Sequence, residues 1–81
     1  MKKSAEKDLD KIPRKFIYKI LEAVESLKNN PFSRGVRKIT GTERFFRIRV
    51  GDYRIIYHVD EENKIITIYY VRHRREAYRG F

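Results

Sequence analysis

The chain is 81 residues long, sets 20 Lys and Arg against 11 Asp and Glu for a net charge of +9, and contains no cysteine. That is one domain, 1–81, near the lower size at which a core holds itself together, with neither disulfides nor a thiolate metal site to help it. No apolar run approaches the ~20 residues of a membrane span and no signal peptide is visible, so a small cytoplasmic protein with an acidic partner is expected.

In chain order, Ser4 is placed to cap a short helix in which Ala5, Leu9 and Ile12 share a face. Pro13 suits the first turn of a second helix, whose Phe16, Ile17, Ile20, Leu21, Val24 and Leu27 recur at the spacing of a buried stripe. Asn29-Asn30-Pro31 ends it. Seven of the nine lysines fall in this first part, as the solvated coat of a helical hairpin that lids a sheet. Residues 32–44 read as a loop broken by Gly35 and Gly41, with a short extended piece at Val36–Ile39.

Phe45 to Val50 and Tyr53 to Val59 are alternating runs joined by Gly51-Asp52, a strong hairpin signal. A two-residue turn sets Val50 opposite Tyr53, Ile48 opposite Ile55 and Phe46 opposite Tyr57, which makes one apolar face for the helices to cover. The period of two then forces Arg47, Arg49, Arg54, Ile56 and His58 onto the other face, with Arg49 directly opposite Arg54. Asp60-Glu61-Glu62-Asn63 forms a longer turn of solvated acids rather than a metal cluster, and Ile65 to Val71 is a third strand. Arg72 to Tyr78 leaves the sheet.

Ten of the eleven arginines lie after residue 33, so the sheet half is arginine-bearing where the helical half is lysine-bearing. Lysine on a helix is ordinary surface, whereas a guanidinium is a rigid fork that fits phosphate bidentately. Opposed like charges destabilise an exposed strand pair by roughly a few tenths of a kcal/mol. A sequence shaped by folding alone would favour Thr or Glu at one of these sites. An anion-binding face accounts for the choice better than a solvated one. His58 has no carboxylate or nucleophile at a recognisable spacing, and His73 sits among arginines, so both read as surface or contact residues. No catalytic triad, phosphate-cradling glycine loop or nucleotide fingerprint is present.

Lys38-Ile39-Thr40-Gly41, the run Phe46 to Tyr57 and the run Val71 to Tyr78 together resemble the RelE/ParE toxin superfamily, and more narrowly its RelE branch. The likeness covers nearly the whole chain. It implies an α+β fold, an N-terminal helical hairpin packed on one face of a small antiparallel sheet. It also implies a messenger-RNA endoribonuclease of the ribosomal A site, working without metal or cofactor and neutralised by a cognate acidic antitoxin. Carried over by position are the pair Arg47 and Arg49, then Arg54, Arg74 and Tyr78; of these Arg49, Arg54, Arg74 and Tyr78 are the expected catalytic set, and Arg47 with Lys38, Arg44, His73 and Arg75 the expected RNA contacts.

Members of the superfamily begin with one more apolar strand ahead of the position of Ser4, where this chain has Met1-Lys2-Lys3. An open sheet edge, inviting self-association or a partner strand, is therefore expected. Two other functions stay open at this point. One is a ParE-like poison of DNA gyrase, and the other is a shortened, non-catalytic protein that only receives an antitoxin.

Overall fold

The computed structural model of the chain describes residues 1–33 and 35–75. Its elements are α1 (Lys3–Asp10), α2 (Arg14–Asn29), β1 (Arg37–Lys38), β2 (Phe45–Val50), β3 (Tyr53–Asp60) and β4 (Ile65–His73). The strands form one antiparallel sheet in the order β1-β2-β3-β4. Both helices lie on it, α1 along β4 and α2 over β2. This is the helical hairpin on an antiparallel sheet that the sequence implied. Among the described residues no helix is long and apolar enough to cross a membrane.

The core is the space between helices and sheet. Ala5, Ile12, Ile20 and Leu27 meet Ile55, Tyr57, Val59, Ile68 and Val71 there. Burying a large apolar side chain contributes about 1.5–3 kcal/mol, so this face decides the register. The stripe of α2 is narrower than its spacing suggested. Ile20 and Leu27 are buried and Ile17 and Val24 pack against the core, but Phe16 and Leu21 flank the stripe and stay 37% and 43% exposed. Phe16 nevertheless reaches the Tyr53 ring at 5.6 Å. Tyr57 is wholly buried, and its hydroxyl donates to the Pro31 carbonyl at 2.6 Å, tying the end of the helical hairpin to β3.

The start of α1 departs from expectation. Its N-cap is Lys2, with no side-chain cap, because Ser4 lies inside the helix and is used elsewhere. The Ser4 hydroxyl donates to the Tyr69 carbonyl at 2.5 Å, the Lys2 N–H donates to the Ile68 carbonyl at 2.8 Å, and the Val71 N–H donates to Asp8 Oδ2 at 3.0 Å. These groups lie on the outer edge of β4, so from Ile68 to Val71 the edge expected to stand open is closed by α1. Two side chains and the Lys2 backbone N–H do there what a neighbouring strand does elsewhere, and self-association through this stretch loses its template.

The Asp8→Ala variant leaves the half-buried Val71 N–H without its partner and should cost about 1–2 kcal/mol in urea unfolding. Burial pushes the Tyr57 hydroxyl up to about 12 from 10.0. The folded state therefore favours the neutral phenol. Its contribution is complete below pH 10 and fades between pH 10 and pH 12, as the unfolded chain ionises first. Tyr57→Phe should cost about 1 kcal/mol at pH 7 and should lose less of its stability than the parent across that alkaline window, measured by urea unfolding against pH.

Candidate functional site

Gly51 takes φ +60°, the sign that the first position of a II′ hairpin turn needs. The turn brings Arg49 directly opposite Arg54, as its length required. On the other side of β3, Arg54 is opposite Arg72. Arg49, Arg54 and Arg72 thus stand abreast on β2, β3 and β4, at strand spacings of about 4.8 Å. One row along, Arg37 on β1 is opposite Arg47, and Arg47 is opposite Ile56. Five arginines from four strands share the sheet face turned away from the helices.

Local contacts hold this row at the hairpin end. Arg49 Nε donates to the Gly51 carbonyl at 3.0 Å, and the Arg54 guanidinium donates to the Tyr53 carbonyl at 3.4 Å. Among the described residues neither has a carboxylate partner within ion-pair distance. The Arg72 guanidinium lies over the Tyr70 ring at 3.7 Å, a cation–π stack that fixes its plane. The Arg74 N–H donates to the Asp52 carbonyl at 2.7 Å, one step beyond the Tyr53↔His73 pair, so the backbone leaving β4 brings Arg74 beside the β2–β3 turn, two residues along from Arg72. Arg75, exposed, follows it in that turn, with its N–H 3.4 Å from His73 Nδ1.

Other predicted contacts lie elsewhere. His73 is opposite Tyr53 and meets its ring at 5.7 Å, on the side of the sheet that carries the helices. Lys38 is opposite Phe46, again on that side, and with Arg44 it lines a cleft of about 790 Å³ shared with Glu43, Glu61 and Glu62. Val59, also in that cleft, is five residues along β3 from Arg54, ~16 Å away, and its mixed charge suits phosphate poorly. Asp60, beside it, is held below its usual value by the Asn63 side-chain amide first, then by the Asn63 N–H, with the Arg44 charge adding to both. Tyr78 lies outside the described residues.

Arg37 and Arg72 belong to the face and were missed as site residues. The last strand was expected to end at Val71 with Arg72 leaving the sheet, but β4 runs on to His73, and a β-bulge decides which side Arg72 takes. From Asp60↔Ile65 to Tyr57↔Ile68 the strands keep one register, and from Ile56↔Tyr70 onward they keep another, with Tyr69 as the extra residue. Counting back from the acidic turn pairs Arg72 with Tyr53 and sends it to the core side.

A helical hairpin on one face of an antiparallel sheet, with guanidinium groups gathered on the other, defines a small domain with one strongly basic face. The sequence matches the family model of the ParE toxin of the type II toxin–antitoxin system parDE over residues 1–78. It is 34% identical to toxin RelG of Mycobacterium tuberculosis over 80 residues, covering 94% of this chain and 88% of that one. The fold superimposes with a TM-score of 0.80 on a chain of the RelB–RelE antitoxin–toxin complex from Methanococcus jannaschii, at 30% identity, over 99% of this chain and 95% of that one. A chain of the toxin–antitoxin complex RelBE2 from Mycobacterium tuberculosis matches with a TM-score of 0.78 at 28% identity, over 89% and 90%. The chain belongs to the RelE/ParE superfamily and is a type II toxin of the RelE type.

If opposed arginines are kept for function, the fold should gain from losing one. Arg49→Thr should raise stability by about 0.3–1 kcal/mol in urea unfolding at low ionic strength, and the gain should shrink towards 1 M salt.

Proposed function

We propose that this toxin is a ribosome-dependent endoribonuclease that cleaves messenger RNA in the cytoplasm. The observation that carries the reading is the row Arg49, Arg54 and Arg72, with the Arg74 backbone beside the adjoining β2–β3 turn. In the reaction the ribose 2′-oxygen attacks the adjacent phosphorus and loses its proton to solvent. The bond from phosphorus to the 5′-oxygen breaks, and that oxygen takes up a proton, leaving a 2′,3′-cyclic phosphate and a 5′-hydroxyl. Negative charge builds on the non-bridging oxygens, and fixed guanidinium donors stabilise it without reorganising.

Arg54 sits at the centre of the row and is assigned, with Arg74, to the scissile phosphate. Arg47 and Arg49 hold flanking phosphates, and Tyr78 supplies a stacking or hydrogen-bonding contact. Arginine keeps its proton at neutral pH, so the set binds and neutralises better than it abstracts. Alignment of the nucleotide must come from a second body, and the ribosome is the assigned one. An acidic, RelB-like antitoxin is the natural inhibitor of a face with this charge, in keeping with the antitoxin–toxin complexes to which the fold is similar. The family model is that of ParE, which favours gyrase poisoning as a second reading; a supercoiling assay separates the two.

Arg54→Ala and Arg74→Ala should each lower ribosome-dependent cleavage by about 100-fold, measured by primer extension on a translated message. Undiminished cleavage by both variants overturns the assignment.

A further inference from the structure

The bulge that brings Arg72 into the row also turns Tyr69 out of the normal alternation. Bulges of this kind re-aim side chains beside functional sites. The Tyr69 ring lies 5.0 Å from Phe45 at 82°, 6.3 Å from His58 and 6.4 Å from Tyr70, and Phe45 meets His58 edge-on at 5.1 Å. Phe45 is opposite His58 in the register that carries Arg47 and Arg49, so these rings share the arginine face. Lys2 Nζ stands 5.1 Å from the Tyr69 ring centroid, and the Ser4 hydroxyl holds the Tyr69 carbonyl at 2.5 Å.

Packing accounts for only part of this cluster. Ile39 and Ile56 are buried on this side beneath Phe45 and Tyr70. Tyr69 and His58 are not needed for that cover, and both remain partly exposed. The face therefore runs from guanidiniums at the hairpin turn, through Arg72 on Tyr70, to rings flanked by a lysine. His58 is four residues along β3 from Arg54, ~13 Å away and within reach of bases a few nucleotides from a phosphate held there. Rings placed beside a cationic track are how proteins hold the bases of a single strand without reading its sequence.

We propose that Tyr69, supported by Phe45 and His58, is a stacking platform for bases of single-stranded RNA flanking the phosphate held by Arg54. The assignment rests on the RNA reading above and adds a base subsite to it. The probes are a fluorescent 2′-O-methyl hexanucleotide, which cannot be cleaved, and the same strand carrying abasic residues, both followed by anisotropy. Tyr69→Ala should bind the hexanucleotide roughly five- to tenfold more weakly, while Tyr69→Phe and Tyr69→Trp bind as the parent does. Binding of the abasic strand should be unchanged in Tyr69→Ala, and the salt slope of hexanucleotide binding should fall in Arg54→Ala but not in Tyr69→Ala.

Parent-like binding by Tyr69→Ala, with weakened binding by Arg54→Ala, overturns the platform and leaves the phosphate assignment standing. Equal losses on the base-bearing and abasic strands reduce Tyr69 to a structural role and overturn it too. Failure of the parent to bind either strand removes the RNA reading and the platform together.

Discussion

Strand register governs this molecule. Each strand has two sides, and slipping a pairing by one residue exchanges what lies in the core for what lies on the arginine face. Ile55, Tyr57, Val59, Ile68 and Val71 are buried against the helices, each by an amount worth about 1.5–3 kcal/mol. The repulsion of Arg49, Arg54 and Arg72 is worth roughly a few tenths of a kcal/mol per neighbouring pair. The core wins by an order of magnitude, so it can hold like charges abreast that would never assemble on their own. The site is strained electrostatically because the fold can withstand it.

Much of this was legible because a tight turn converts sequence into geometry. Gly51-Asp52 fixes the β2–β3 register with no freedom left, and every pair expected from it is present. The acidic turn from Asp60 does the same only up to Tyr57↔Ile68, where the bulge begins. An extra residue in a strand leaves no signature in apolar spacing, since Tyr69, Tyr70 and Val71 are all acceptable strand residues. Arg72 was therefore invisible as a member of the row: the strand was read as ending at Val71, and the bulge hides which side a longer strand would give Arg72. The role of Ser4 was hidden for a related reason: a serine near a helix start suggests a cap, and nothing local shows that its hydroxyl meets residue 69.

The helical hairpin is more than a cover. Asp8 takes the Val71 N–H and Ser4 takes the Tyr69 carbonyl, so α1 grips β4 on either side of Tyr70, which carries the Arg72 guanidinium. Further on, Arg74 is tethered to the Asp52 carbonyl and Arg49 to the Gly51 carbonyl. The last strand is thus fixed at its outer edge by a helix and at its end by the turn of the neighbouring hairpin. Charges on three strands keep one relative position because β4 is held from both directions.

A surface made of arginines has a chemical consequence. Guanidinium groups neutralise and orient but give up no proton at neutral pH, so a cleavage site built on them is strong in charge stabilisation and weak in acid–base work. Such a site gains little on a free strand, which seldom presents its 2′-oxygen in line with the leaving oxygen. It gains much on a strand already held in line, where alignment has been supplied elsewhere and only developing charge remains to be met. The same division explains why the face needs so little else. On the function proposed above, phosphates would locate the strand, rings would keep its bases from wandering, and a larger body gripping the message would set the geometry of attack.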